Sequence, residues 1–334
     1  MALPRVDIIG LGGTISMAGA NAAGVVPTLT AGDLIAAVPA LAQVAEVRAL
    51  QFRMVAGSSL SMDDLLATAA EVRRCIDGGA AGVVVTQGTD TIEEVAFGLD
   101  LLVPGDAPVV VTGAMRNPTQ PGADGPANLL AAVQVAASPE ARGLGALVVF
   151  NDEVHAARFV QKTHTASPAT FRSRQAGPIG WVAEGQVRIA LRPAGRRHVE
   201  VPEGAADRPV ALLTMSLGDD GRLFGALAGL GYCGAVIEGL GGGHVPFFAV
   251  EAAQRLAATM PVVLASRTGC GEVLRRTYGF AGSESDLLAR GLIHAGILDG
   301  PKARILLTLL LRAGAARKEV EEGFAAWNRS IAGH

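Results

Sequence analysis

The chain has 334 residues, half of them hydrophobic and only 4% aromatic, with a net charge of −3 and a pI near 6.1. Such a length suits about two domains around an aliphatic core, and the charge balance excludes the basic footprint of a nucleic-acid binder or of a protein drawn to anionic membranes. The greasiest run near the C-terminus, Ile305–Leu311, is far shorter than the roughly 18–20 residues of a membrane span, and the opening stretch MALPRVDIIGLGG lacks a secretory pattern, so the cytoplasm is the expected compartment.

Val6–Gly10 reads as a strand that enters the turn Gly12-Gly13-Thr14. A helix follows over Asp33–Val38, with Thr30 as its cap, and then a strand over Val47–Val55 that ends at Gly57-Ser58-Ser59. Ser61 caps a helix over Met62–Gly78, with Asp63 and Asp64 in the first turn, where the helix dipole favours acids. The run GVVVTQGTDTIEE, Gly82–Glu94, joins a buried-type strand, Val83–Thr86, through a hydroxyl-rich turn to a helix over Thr91–Leu102. Val109–Thr112 is a further apolar strand, ending at Gly113-Ala114-Met115-Arg116. Asp124-Gly125-Pro126 opens the helix Ala127–Ala137, with Asp124 as its cap, and Leu147–Phe150 is the next strand.

Gly177–Asp207 is rich in Gly, Pro and Arg and holds at most short strand pieces such as Gln186–Ala190. Beyond it, Val210–Thr214, Ala235–Glu238 and Val262–Ala265 read as buried strands, and Phe248–Ala258 and Lys302–Leu311 as helices. The alternation predicts an α/β fold: a mainly parallel sheet with helices on both faces in a large N-terminal domain, residues 1–192, a linker at 193–208, and a smaller C-terminal α/β domain, 209–334.

In open α/β sheets, ligands bind at the carboxyl ends of the strands. Thr86, Thr89, Asp90 and Thr91 stand at such an end. Thr89 and Asp90 are also good helix caps, with Glu93 and Glu94 favourable in the first turn, but capping does not explain three threonines in six residues. A threonine hydroxyl needs a base or a lowered pKa to act as a nucleophile. Lys162 is one of only three lysines, and a desolvated lysine can serve as a base where arginine cannot. The turn Gly10–Ile15 is not a dinucleotide fingerprint, because Ile15 stands where the sixth-position glycine is required. Its glycines would instead let backbone N–H groups approach a ligand beside Thr14. The six histidines have no metal-ligand spacing, Cys75, Cys233 and Cys270 form no disulfide or zinc pattern, and neither a GxSxG elbow nor a P-loop is present. A zinc site is not expected.

Taken together, GGTIS at Gly12–Ser16, TQGTDTIEE at Thr86–Glu94, VVVTGAMR at Val109–Arg116, ADGPxN at Ala123–Asn128 and KTHT at Lys162–Thr165 resemble the bacterial-type L-asparaginases of the asparaginase/glutaminase amidohydrolase family, over essentially the whole chain. The resemblance implies hydrolysis of L-asparagine to L-aspartate and ammonia without a cofactor. It also implies a homotetramer of two intimate dimers, in which a neighbour's C-terminal domain closes each active site. By motif, Thr14 matches the nucleophile that forms a β-aspartyl enzyme, and Thr89, Asp90 and Lys162 match a second catalytic group in which the lysine takes the proton from Thr89. Gly13 and Thr89 would supply backbone donors to the oxyanion. Ser58 and Asp90 would grip the α-carboxylate and α-amino groups, with Ser59 and Ala114 also on the substrate. Glu272 falls where the family has a glutamate supplied by the neighbouring subunit.

Four departures stand out. Gln87 replaces a usual histidine, Ser59 a frequent glutamine and His244 a common asparagine. The segment Met17–Thr28, whose glycines and alanines suit a mobile lid, lacks the tyrosine many members carry there; Tyr232 and Tyr278 are the only tyrosines. The readings left open are an L-asparaginase, a glutaminase-asparaginase of relaxed specificity, the related amidotransferase subunit (which carries an extra N-terminal domain not seen in this sequence), and a catalytically weak amino-acid-binding or regulatory homologue.

Overall fold

The computed structural model describes residues 2–21 and 24–332, and the side chains of all of these apart from 18–21, 24–27, 331 and 332. The chain divides into two compact units, residues 1–198 and 199–334.

In the first unit, five parallel strands form the body of the sheet: β1 (Arg5–Gly12), β4 (Glu46–Val55), β5 (Gly82–Thr86), β6 (Val109–Thr112) and β7 (Ala146–Phe150). Between β1 and β4 lie a two-stranded hairpin, β2 (Met17–Asn21) with β3 (Gly24–Pro27), and helix α1 (Ala31–Ala36). The hairpin occupies the segment read as a mobile lid, and Ala22 and Ala23 of that segment lie outside the described residues. Helices α2 (Met62–Asp77), α3 (Ile92–Leu102) and α4 (Gly125–Ala137) make the remaining crossovers.

The sheet order is β12-β11-β8-β7-β6-β5-β1-β4, where β8 (Glu153–Ala156), β11 (Gly180–Ala183) and β12 (Gln186–Ile189) run antiparallel. The chain leaves β1 for β4 on one side and then returns past β1 to β5 on the other. That reversal is a topological switch point, the place where such sheets open a crevice beyond their carboxyl ends.

Helices cover both faces, as expected. Val6 and Ile8 of β1, Val84, Val110, Leu147 and Val149 share one cluster with Ala31 and Leu34 of α1 and Leu129, Ala132 and Val133 of α4. Alternation along the strands turns the other side chains to the opposite face, where α2 meets β5 and α3 meets β6 and β7. β5 is buried along its whole length, as its apolar sequence requires. Thr30 and Ser61 each close a reciprocal capping box, with Asp33 and Asp64 respectively. The far end of the unit is pinned by a buried ion cluster: Asp100 pairs with Arg158 and Arg196, and Arg158 also donates to Ala194 O and Gly195 O.

The second unit is a four-stranded parallel sheet in sequential order, β13 (Val210–Thr214), β14 (Gly234–Gly239), β15 (Val262–Ser266) and β16 (Ile293–His294). It carries α5 (Val250–Thr259), α6 (Glu284–Ala289), α7 (Gly300–Arg312) and α8 (Arg317–Ala332). α5 packs its Val250, Ala253, Leu256 and Ala257 on Ile237, Val262 and Leu264, while α7 packs on β13, β14 and β15. α6 and α8 were not foreseen from the sequence. Among the described residues, no helix is long and apolar enough to cross a membrane.

A two-stranded ribbon, β9 (Gln161–Lys162) with β10 (Phe171–Arg172), stands apart from both sheets. It is tied to β8 by the fully buried His155, whose Nδ1 meets Ser173 Oγ at 3.0 Å. Burial first, and the Arg172 guanidinium second, push His155 down from its usual 6.5 to about 4. Glu153 Oε2 lies 3.3 Å from Nε2 and would favour the proton, but Arg172 at 3.6 Å offsets that carboxylate. The folded state therefore stays neutral at His155 where the unfolded chain takes up a proton. Its stabilising contribution is complete above pH 6.5 and is lost as the pH falls towards 4. Melting curves recorded at pH 7, 5.5 and 4.5 are expected to show a decline for wild type that is shallower in His155→Gln; equal slopes would refute the assignment.

Candidate active site

Three neighbouring strands end in the same dipeptide pattern, a glycine followed by a hydroxyl: Gly13-Thr14 after β1, Gly57-Ser58 after β4 and Gly88-Thr89 after β5. The three glycines meet backbone to backbone. A Cβ built on Gly13 would overlap Gly88 N and Cα, and one on Gly57 would stand 2.7 Å from Gly88 O. A Cβ on Gly88 would stand 2.6 Å from Gly57 N and 3.3 Å from Gly13 Cα. Gly13 also has φ +83°, in the region that glycine alone adopts freely. The three hydroxyl residues thus radiate from one junction at the switch point. Thr14 is half-buried, Thr89 is buried, and Ser58 and Ser59 are exposed on a single 3-10 turn.

Thr89-Asp90-Thr91 form a 3-10 turn that runs into α3. The expected caps do not form: neither Thr89 nor Asp90 makes a side-chain capping bond, so both side chains serve Lys162 instead. Lys162 Nζ donates to Thr89 Oγ1 at 2.9 Å and to Asp90 Oδ1 at 2.8 Å. The lysine side chain is only 16% exposed and that of Asp90 60%, so the lysine is held at the wall of the site while the carboxylate faces outward, open to a ligand. The three threonines that looked alike have separate tasks. Thr86 Oγ1 is buried without a partner among the described residues, Thr89 meets the lysine, and Thr91 donates to Gly57 O at 2.9 Å. Gln87 extends that last link, its Nε2 donating to Thr91 Oγ1 and to Gly88 O, both at 3.2 Å. The link ties the Ser58 turn to the Thr89 turn; its sequence signal was only a polar residue inside a strand end.

The β6–α4 loop carries Ala114, which is completely buried. Here too an expected cap is absent. Asp124 stands at the N-cap of α4 but makes no side-chain capping bond. Its carboxylate accepts from Met115 N at 3.0 Å and Arg116 N at 2.8 Å, holding the loop that Ala114 begins. Asn128 supports the same loop, donating to Gly113 O at 3.0 Å and accepting from Asn151 N at 3.0 Å.

Glu272 lies in the second unit, exposed, with Arg275 3.9 Å away. In that unit His244 Nε2 faces the buried Glu284 carboxylate at 3.2 Å, and the ring sits edge-on to Tyr278 and Phe280. Burial raises the Glu284 pKa, but hydrogen bonds from Tyr278 and Thr277 N–H outweigh it and hold the carboxyl below its ordinary value. Among the described residues, no group of three His, Cys, Asp or Glu side chains could hold a metal ion. Burial and the Asp7 carboxylate push the Cys75 thiol up to about 12, which leaves it unreactive at neutral pH. The chemistry this arrangement offers is that of a hydroxyl held by a lysine beside a carboxylate, with Thr14 across the Gly13–Gly88 contact.

The family models describing an asparaginase N-terminal domain and a glutaminase/asparaginase C-terminal domain match residues 5–195 and 209–324. The chain is 38% identical to a probable L-asparaginase of Deinococcus radiodurans, over 96% of this chain and 97% of that protein. It is 33% identical to L-asparaginase 2 of Escherichia coli, over 97% and 93% of the two chains. The crystal structure of a probable cytoplasmic L-asparaginase from Campylobacter jejuni superposes with a TM-score of 0.88 at 32% identity, covering 96% of this chain and 99% of that one.

The glycine junction makes a testable demand. Gly79 also has a positive φ, +91°, but a Cβ there meets nothing within 4 Å. Gly79→Ala is expected to cost only the backbone term, about 1–2 kcal/mol. Gly13→Ala adds the overlap with Gly88 and is expected to lower the melting temperature well beyond the Gly79→Ala drop. Equal drops would show that the junction has slack.

Proposed function

The chain belongs to the asparaginase family, and from that premise we propose that this asparagine-hydrolysing enzyme works through Thr14 as nucleophile, with Thr89, Asp90 and Lys162 as its second catalytic group. The observation that carries this reading is the Lys162 ammonium bridging Thr89 Oγ1 and Asp90 Oδ1, across the Gly13–Gly88 contact from Thr14. In the reaction, Thr14 Oγ1 bonds to the amide carbon while the Lys162 ammonium, by way of Thr89, gives a proton to the leaving nitrogen, and the amine so left takes up the Thr14 proton. The carbon–nitrogen bond breaks, ammonia departs and a β-aspartyl ester remains on Thr14. Water then attacks the ester carbon, the bond to Thr14 breaks, the threonine regains a proton and aspartate leaves. N–H groups at Gly13 and Thr89 would face the oxyanion, where such donors typically contribute about 3–4 kcal/mol each. Ser58 and Asp90 would hold the α-carboxylate and α-amino group, with Ser59 and Ala114 beside them. Fixing both ends of a small zwitterion leaves the amide carbon little freedom.

Ammonia release from L-asparagine, L-glutamine and D-asparagine tests this directly. Asparagine is expected to be the best substrate, although one methylene is worth only about 1–3 kcal/mol of discrimination. Thr14→Ala and Thr89→Ala are each expected to remove activity. A wild type that binds aspartate yet releases no ammonia would leave an amino-acid-binding protein, and retained activity in Thr14→Ala would show the nucleophile to be misassigned.

The active form is proposed to be a homotetramer in which a neighbour's second unit contributes Glu272. Support comes from an exposed aromatic group on that unit, Phe247, Phe248, Tyr278 and Phe280, in a chain with only 4% aromatics. Clustered exposed rings are the kind of surface that another protein covers. A sizing column is expected to give four times the 34.0 kDa chain mass, with Phe280→Glu shifting to smaller species; a monomeric wild type would overturn the assembly. The proposed compartment is the cytoplasm, consistent with three cysteines that are all unpaired.

A further inference from the structure

We propose that Glu93 is the positioning residue for Lys162, a role that rests on the lysine acting as proposed above. Lys162 belongs to a two-stranded ribbon outside the main sheet, and a ribbon of that size does not hold its own position. The ribbon's bond runs from Thr163 N to Thr170 O at 2.9 Å, which directs the Lys162 N–H away from β10. That N–H donates to Glu93 Oε2 at 3.0 Å, across 69 residues of sequence.

Glu93 lies three residues after Asp90, in the first turn of α3. One turn of chain therefore grips the lysine at both ends. Glu93 takes the backbone N–H, and Thr89 and Asp90 take the ammonium at 2.9 and 2.8 Å. A hydrogen bond to a carboxylate is stronger than one between neutral groups. The lysine side chain is a flexible four-carbon stem, so its backbone anchor decides which rotamers reach Thr89. An acid in the first turn of a helix is favoured by the dipole in any case. That general preference does not bring a carboxyl oxygen to the backbone of a separate strand. Displacing a catalytic group by about 1 Å can cost 100-fold in rate, so a clamp on the lysine backbone acts on turnover rather than on substrate affinity.

The small number of lysines supplies a readout that does not depend on catalysis. Lys318 is exposed and Lys302 buried, so acetylation followed by mass spectrometry compares Lys162 with an internal standard at each extreme. Two measurements are made on wild type, Glu93→Gln, Glu93→Ala and Glu93→Met: kcat and KM for L-asparagine, and Lys162 labelling relative to Lys318. The kinetics are also measured on Lys162→Ala and on Glu93→Ala/Lys162→Ala.

Glu93→Ala is expected to lower kcat roughly 10- to 100-fold with KM within about 3-fold, and to raise relative Lys162 labelling several-fold. Glu93→Gln, which keeps an acceptor oxygen, is expected to stay within about 3-fold of wild type in both. Glu93→Met keeps the bulk without the acceptor and is expected to follow Glu93→Ala, which guards against a folding defect in the smaller variant. The double variant is expected to be no slower than Lys162→Ala alone. The proposal is overturned if Glu93→Ala and Glu93→Met leave kcat and labelling unchanged, if Glu93→Gln is as impaired as Glu93→Met, or if the losses of Glu93→Ala and Lys162→Ala multiply. A wild type without activity on asparagine would remove the catalytic reading, while the labelling would still decide whether Glu93 holds Lys162.

Discussion

Three glycines in van der Waals contact are the constraint on which the site depends. Gly13, Gly57 and Gly88 leave no room for a Cβ at the junction of β1, β4 and β5. That contact requires the three strands to be neighbours and to run parallel, with their carboxyl ends level, and the order β4-β1-β5 provides this. Each glycine is followed by the hydroxyl residue it delivers, so close approach of backbones becomes close approach of Thr14, Ser58 and Thr89. The switch point thus acts as a device that brings residues far apart in the chain onto one spot.

Much of this was legible in the sequence, for identifiable reasons. The buried strands announced themselves by uninterrupted β-branched runs, and Thr30 and Ser61 by their place as hydroxyl caps just before helical stretches. What failed were the places where one polar side chain had several possible partners. Asp124 and the Thr89-Asp90 pair look like caps, because Asp and Thr before an apolar helix usually are. In the structure the nearest orphan donors are not the helix N–H groups but Met115 N and Arg116 N for Asp124, and the Lys162 ammonium for Thr89 and Asp90. Sequence separation hides such competition. Of the antiparallel edge β8-β11-β12 only β12 was foreseen, as the strand piece Gln186–Ala190; β8 and β11 are four residues each, too short to show a clear period.

The same competition explains the composition of Thr86–Glu94. Nine residues hold three threonines, a glutamine and three acids, which is more polarity than a strand-to-helix turn needs. Gln87 and Thr91 face the Ser58 turn, Thr89 and Asp90 face the lysine side chain, and Glu93 faces the lysine backbone. Apart from Thr86 Oγ1 and Gln87 Oε1, which are buried without a partner among the described residues, these polar groups are directed outward to two other loops. Enclosed polar groups are costly unless bonded, so the bonds from Gln87, Thr89 and Thr91 stabilise the packing of this segment on the two loops.

Gln87 stands where the resemblance would put a histidine, and its two bonds depend on the amide. The residue is fully buried and gives hydrogens to two acceptors, Gly88 O and Thr91 Oγ1. A primary amide has two N–H donors on one nitrogen, whereas a neutral imidazole has one N–H in all and gains a second only with a proton. A histidine here would therefore satisfy both acceptors only as a cation, and from two separated nitrogens. Glutamine makes both bonds while remaining neutral across the whole working pH range. The link between the Ser58 turn and the Thr89 turn consequently carries no titratable group, and the spacing between the two turns is insulated from pH.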